Sequence, residues 1–329
     1  MNVAKTKKVV KSRFDLIFDQ NGTIRRKINP YTIQKFIKTI FLLILLIGLT
    51  FIILYPFIIK FCSIFMSTQD TFDNTVALIP RHPTLVNLIY LFSKTSLLQA
   101  LLNTLIISLI VAVCTSFSAS LIGYGLAKFK FKGNIIVLVL IIFTLLVPQE
   151  TILIPMYAYF RFFDIWGIID LITSKTLILT DTFFPMIFLS ITSMGFRGGL
   201  YILIMRQCFK GIPNELSEAA EVDGAGIIRT FRSIIFPLSK SMLVVVFILS
   251  FSWQWTDTFY ASTLYSSVQL LPHIISSLSS AITDIGTGTY FNSLLINSAA
   301  IIIVVPLVIM FLFFQRKLVQ GIARSGIVG

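Results

Sequence analysis

The 329-residue sequence predicts an all-α integral membrane protein of six transmembrane helices, with both termini in the cytoplasm. Three observations lead there. Apolar residues make up 56% of the chain and charged residues only 12%, and the mean hydropathy is +0.90, far outside the range of a soluble domain. The apolar residues fall in windows of about 20 or more, the length that crosses a hydrocarbon core. Lys and Arg gather in alternate connecting segments, as they do on the cytoplasmic side of membrane proteins.

Residues 1–39 are polar and basic, with ten Lys and Arg set against Asp15 and Asp19 alone, and read as a cytoplasmic N-terminal tail. The apolar run at 40–59 is too long and too far from the N-terminus for a cleavable signal core, and no small-residue cleavage site follows. It reads as an uncleaved first span, followed by an outer loop reaching residue 96. The window at 97–127 exceeds one span, so its first part lies along the outer surface or the helix is tilted; the span itself is placed at 104–127. Four more windows follow at 135–155, 183–205, 236–255 and 293–314, each bounded by charges or turn residues. Six spans return the chain to its starting side.

Orientation follows from counting. With the N-terminus inside, the inner segments 1–39, 128–134, 206–240 and 315–329 hold 21 of the 27 Lys and Arg, leaving Lys60, Arg81, Lys94, Arg161, Lys175 and Arg197 elsewhere. Acidic residues run the other way, six inside and eight elsewhere. The net charge of +13 is therefore a matter of topology and requires no nucleic-acid partner, while the basic tail suits anionic inner-leaflet lipid. Cys62, Cys114 and Cys208 are scattered without a CxxC pair, and His82 and His273 stand far apart. No metal site, nucleophile pair or phosphate-binding G-x-x-x-x-G-K-[ST] loop is present in the sequence, which argues against an intramembrane enzyme.

The inner segment 211–237 differs in kind from the other connections. Pro213 can open a helix, Glu215 and Glu218 suit its positive end, and Asp223-Gly224 is a stop-and-turn signal, so a short helix, a turn and a second short helix are expected. Small Ala219 and Ala220 would let another protein approach the backbone. From these residues alone, the segment is either an amphipathic loop on the inner membrane face or a docking helix.

The residue pattern resembles the EAA loop of ATP-binding-cassette importer permeases: Glu218-Ala219-Ala220, three residues, Gly224, nine residues, then Ile234, Phe236 in place of the usual Leu, and Pro237. The resemblance extends over 97–329. Asn103-Thr104, the stretch from Tyr124 to Gly133, Pro148 with Ile154-Pro155-Met156-Tyr157, Arg206-Gln207 and Ile212-Pro213-Asn214-Glu215-Leu216 follow the family order. Trp255-Thr256-Asp257 and the tail Gln315-Arg316…Val319…Gly321…Gly326…Val328…Gly329 complete it, lacking only a Lys. The chain is similar to the smaller permease of maltose-type systems in the carbohydrate branch.

That resemblance implies a non-catalytic permease in a bacterial cytoplasmic membrane, forming half of a sugar path. It implies a second homologous permease subunit, two ATPase subunits that bind the ATP and Mg, and an extracytoplasmic sugar-binding protein. Glu218, Ala219, Ala220, Asp223, Gly224 and Pro237 would then form the ATPase-coupling loop, and this chain would hold no cofactor. Candidates for the substrate path are less sharply marked. Intramembrane charge is costly and usually faces a wet cavity, which singles out Glu150 and Arg197; Arg197 alternatively lies at the membrane boundary or pairs with a carboxylate. Trp253, Trp255 and Tyr260 could stack on sugar rings or form an interfacial belt. Asn103 and Asp257 follow from the resemblance. If Arg197 faces the path, an acidic saccharide is favoured, because guanidinium pairs bidentately with carboxylate. The alternative is a gradient-driven secondary transporter with Glu150, Arg197 and Asp257 as relay groups, for which the 211–237 segment would be unnecessary.

Overall fold

The computed structural model describes residues 30–76, 78–164, 176–281 and 288–327. The basic tail up to residue 29, Lys175 and the last two residues of the C-terminal motif lie outside them. The chain divides into two units, 1–59 and 60–329. The described part of the first belongs to helix α1 (Pro30–Ser63), which opens on a proline, a residue suited to a first helical turn. Its stretch Gln34–Ser63 is long and apolar enough to cross a membrane. Pro56 lies within it, a break in the hydrogen-bond ladder that spanning helices tolerate.

The described residues of the second unit are mainly helical, and their β structure amounts to one isolated antiparallel bridge, Phe163 to Leu177. Its order is α2 (Thr68–Phe72), α3 (Val86–Lys94), α4 (Leu97–Lys128), α5 (Asn134–Leu146), α6 (Gln149–Arg161), α7 (Phe184–Ile191) and α8 (Gly198–Lys210). There follow α9 (Glu215–Val222), α10 (Ile227–Leu238), α11 (Lys240–Trp255), α12 (Phe259–Leu264), α13 (Leu271–Ala281) and α14 (Gly288–Ile327).

Helix α4 is the central post, 32 residues and about 48 Å long at 1.5 Å per residue. Its first turns, with Leu97 and Ala100, pack against Phe251 and Trp255 of α11, Leu271 and Leu278 of α13, and Leu295 and Ala299 of α14. Midway, Ile107 and Val111 meet Phe160 of α6, Met186 and Leu189 of α7, and Tyr260 and Leu264 of α12. At its end, Ala119 and Tyr124 pack with Tyr201, Met205 and Phe209 of α8 and with Met242 and Val246 of α11.

Buried Ala112, Ser116, Ala119, Ser120 and Gly123 on α4 allow these close crossings, since helices in lipid associate through backbone approach rather than by excluding water. At Gly123 a Cβ would stand 2.9 Å from both the Met205 Cβ and the Arg206 amide nitrogen. Ser118 supplies a polar tie, its hydroxyl 2.8 Å from the Ser190 carbonyl and 2.6 Å from the Ser193 hydroxyl. Satisfying such groups matters because hydrocarbon offers them no partner.

Two of the expected windows are broken. The window at 135–155 forms α5 and α6, bent by 98° at Val147-Pro148, both extended in backbone. Proline has no N–H and drives its predecessor out of the helical region, which ends α5 there. The window at 183–205 forms α7 and α8, separated by residues 192–197, in which Ser193 and Arg197 take left-handed φ of +55° and +51°. The window at 236–255 is mainly α11, and α10 meets it at 77°. The expected long window at 97–127 is one unbroken helix, and the last window lies inside the 40-residue α14.

Outside these helices, the segment after α1 is tied by side chains. Buried Asp70 accepts hydrogen bonds from the Ser67 and His82 amides, and buried Asn87 donates to the Ile64 and Met66 carbonyls. Asp181, also left-handed at φ +62°, accepts from the Ser266 and Ser267 amides at 2.6 and 2.8 Å and from the Ser266 hydroxyl at 2.7 Å. Partial burial opposes its ionisation, but these hydrogen bonds outweigh it and hold the carboxyl down at about 2.

Candidate functional site

The first group of candidate residues lies in the connection from α8 to α11. Helix α8 ends at Lys210, and after Pro213 the chain turns into α9 with Asn214 at its N-cap position. The Asn214 side chain does not cap the helix; its Oδ1 accepts from the Lys128 ammonium at 2.8 Å, and the same ammonium donates to the Ile212 carbonyl. Glu215 and Glu218 occupy the first turn of α9, where carboxylates complement the helix dipole.

A Schellman turn closes α9. The Gly224 amide donates to the Glu221 carbonyl and the Ala225 amide to the Ala220 carbonyl, both at 2.9 Å, with Gly224 at φ +78°. A Cβ at Gly224 would meet nothing within 4 Å, so the turn needs glycine for its backbone conformation and not for space. Ala220 is buried against its own chain, whereas Glu218, Ala219 and Asp223 are exposed. Helix α10 follows, with a π-helical turn at Phe231–Ile235, and exposed Pro237 precedes the 77° bend into α11.

This helix–turn–helix exposes large apolar side chains among its charged ones. Val222 is 88% and Ile228 82% exposed, with Leu216 and Ile227 exposed beside them. A shallow depression of about 850 Å³ adjoins them, lined by Gly226, Ile227, Ile228, Arg229, Arg232 and Ser233. Exposed apolar side chains rimmed by charge mark protein-partner or membrane surfaces.

The second group lies around the break between α7 and α8 and the end of α11. Arg197 is exposed at the N-cap of α8, and its guanidinium carbon lies 3.9 Å from the centroid of the Trp253 ring. Trp253 is 40% exposed, while Trp255 is 2% exposed, stacks on Phe251 and donates its indole N–H to the Ile303 carbonyl at 3.1 Å. Of the two tryptophans, Trp253 is therefore the exposed one and Trp255 a core residue. Asp257 is buried just beyond α11; its Oδ1 accepts from the Phe259 and Tyr260 amides at 2.9 and 3.0 Å, and its Oδ2 has no partner among the described residues. Tyr260 is buried against Phe196, ring centroids 4.4 Å apart. Asn103 is engaged structurally, donating to the Gln269 carbonyl at 3.0 Å. Glu150 is exposed in the first turn of α6, directly after the 98° bend.

Sequence reasoning overlooked Lys128 as an anchor of α9, because a basic inner turn is already explained by topology. It also had no access to the Arg197–Trp253 pair, whose partners are 56 positions apart along the chain. Among the described residues no group of three His, Cys, Asp or Glu is placed to hold a metal ion.

The chain is similar to known transport permeases. The chain is 27% identical over 284 residues to the arabinooligosaccharides transport system permease protein AraQ of Halalkalibacterium halodurans, covering 85% of this chain and 93% of the relative. It is 27% identical over 297 residues to the probable starch degradation products transport system permease protein AmyC of Thermoanaerobacterium thermosulfurigenes, covering 90% and 97%. Its fold matches, with a TM-score of 0.69 and 21% identity, a chain of a bacterial ABC transporter involved in the import of the acidic polysaccharide alginate, over 87% of this chain and 98% of that one. Residues 119–324, which include the α9 turn, Arg197 and Asp257, match the family of binding-protein-dependent transport system inner membrane components. The chain belongs to that family and is a non-catalytic, multi-pass permease of the bacterial cytoplasmic membrane.

Proposed function

We propose that this permease is one of two related membrane subunits of an ATP-driven oligosaccharide importer, with α9 as the helix that docks on a separate ATPase. The observation that carries the reading is the exposed apolar surface of Val222 and Ile228 on either side of the Gly224 turn, in the segment whose residues follow the EAA pattern. Covering each of these side chains on a partner is worth on the order of 1.5–3 kcal/mol. ATP and Mg are bound and hydrolysed by the ATPase, and an extracytoplasmic binding protein delivers the sugar.

Six spans with both termini inside fit this reading. α1, α4 and α14 cross as continuous helices, while α5 with α6 and α10 with α11 are bent pairs. The broken α7 and α8 supply the remaining crossing. With α11 upright, the 77° bend lays α10 along the inner surface, next to the ATPase. The 21 Lys and Arg of the inner segments support that orientation.

The cargo is an oligosaccharide, supported by the arabinooligosaccharide and starch-product names of the relatives. Arg197, exposed on Trp253, supports an acidic one, and so does the alginate transporter of like fold. Co-purification tests the reading: the chain is expressed with its genomic neighbours, and the ATPase bound to wild type and to Gly224→Asp is compared at equal membrane level. Loss of ATPase in the variant alone is the expected result. A wild type that retains no ATPase, in membranes shown to contain one, would return the chain to the gradient-driven alternative.

A further inference from the structure

We infer that the last turn of α4, through Tyr124 and Lys128, is the joint that holds both ends of the α9 segment, and that these two are positioning residues for coupling. The inference rests on the docking role proposed for α9, but its geometry stands apart from that role. Tyr124 and Lys128 are four residues apart and so share one face of α4. The Tyr124 ring is buried, with its centroid 5.7 Å from that of Phe209, 4.8 Å from that of Phe231 and 5.5 Å from that of Phe129.

Phe209 is the penultimate residue of α8, and Phe231 opens the π turn of α10. One ring therefore touches the chain where it enters the α9 segment and again where it leaves. Phe209 and Phe231 also meet each other at 6.3 Å, and Phe231 meets Phe236 at 5.8 Å, closing an aromatic cluster over the base of the loop. Lys128 adds a polar clamp at the entry, to the Ile212 carbonyl and the Asn214 side chain.

Directly before Tyr124 in α4, Gly123 lies against Met205 and Arg206 with no room for a methyl group, so α4 and α8 cannot slide past each other at this level. Force applied to α9 is thus delivered to α4 and α8 together. On the exit side the backbone has a natural place to yield, the π turn at Phe231–Ile235 and the bend before α11. α9 then moves as one body with α4, while α10 takes up the change of angle.

The test measures that rigidity directly. In a background where Cys62, Cys114 and Cys208 are replaced by serine, spin labels are placed at Glu221→Cys on α9, which leaves Val222 and Ile228 intact for the ATPase, and Ile106→Cys on α4, both exposed, and the distance distribution is recorded in nanodiscs. It is recorded for the permease complex with its ATPase, without nucleotide and with ATP plus vanadate, and for the chain alone. Wild type and Tyr124→Phe should give one narrow distance in every condition, because the phenylalanine keeps the ring. Tyr124→Leu and Lys128→Met should broaden it at least twofold while the ATPase still co-purifies. Phe231→Leu, which removes the ring on the opposite side of the joint, should do the same and serves where Tyr124→Leu fails to accumulate. A distribution as narrow in Tyr124→Leu and Phe231→Leu as in wild type would overturn the inference, and so would a wild type already broad. Failure of the ATPase to bind wild type strikes the docking role alone, because the distance in the isolated chain still reports on the joint.

Discussion

The Arg197 guanidinium lies 3.9 Å over the centroid of the Trp253 ring, joining the broken start of α8 to the exposed side of α11. Such a contact orients a cation without neutralising it and is worth about 0.5–2 kcal/mol. On the acidic-cargo proposal, Arg197 would meet the saccharide carboxylate from this position. Arg197→Gln should raise the apparent KM for a uronate-containing oligosaccharide by about 10–100-fold, the worth of a charge-assisted hydrogen bond to a carboxylate, and leave uptake of a neutral oligosaccharide within about twofold. Competition uptake in whole cells measures both. Equal effects on the two sugars would remove Arg197 from substrate selection.

The geometry at Gly224 separates two ways of disabling the loop. With φ at +78° and open space around the position, alanine costs the turn about 1–2 kcal/mol through backbone conformation, while asparagine, more at ease in the left-handed region, costs less. Bound ATPase should fall moderately in Gly224→Ala and least in Gly224→Asn. It should fall most in Gly224→Asp, where a third carboxylate joins exposed Glu221 and Asp223 beside Val222. Quantitative co-purification at matched membrane levels gives the order. If Asn and Asp behave alike, the turn's conformation rather than its surface governs docking.

Gly123 makes a purely structural prediction. Its missing Cβ would stand 2.9 Å from backbone and side-chain atoms of α8, so Gly123→Val forces α4 and α8 apart. Overpacking of this kind typically costs about 1–3 kcal/mol, and more where backbones are in contact. The midpoint of thermal unfolding in detergent should drop by several degrees. Gly125→Val, on the same helix but with nothing within 4 Å, serves as the control and should change little.

Asp181 predicts a pH dependence of known sign. Its carboxyl is held at about 2 in the folded chain, below the ordinary 3.8, so its ionised form favours folding. That contribution is fully present above about pH 4 and is lost as pH falls from there through about 2. Asp181→Asn should therefore be less stable than wild type at pH 6, with the gap closing as unfolding is measured at progressively lower pH towards 3. A gap that stays constant over that range would mean the Ser266 and Ser267 hydrogen bonds do not depend on the charge.

The α9 turn was legible in the sequence because each of its determinants is local. Pro213, the acidic first turn and Asp223-Gly224 specify a helix and its end within a dozen positions, and α9 forms with a Schellman turn at Gly224. The break of the third window was equally local in cause, since Pro148 drives Val147 into extended backbone, yet an apolar window hides it: hydropathy adds α5 to α6 without registering the bend. Ala220 shows the limit of local reading. It shares a tripeptide with Ala219, yet one is buried and the other exposed, and only the placement of α9 against its neighbours separates them.

The same division runs through the whole molecule. Membrane character and the windows of the helices are properties of composition and of short stretches of chain, and the family signature is a run of local motifs; the sequence determined these by itself. Which tryptophan faces outward, which charge finds an aromatic face, and that Tyr124 and Lys128 grip both ends of the α9 segment depend on how helices rotate and slide against one another. Helices that are apolar nearly all round carry little hydrophobic asymmetry to announce their buried face. Small-residue contacts and scattered polar ties fix that face instead, and they become visible only once α4, α8 and α11 are packed together.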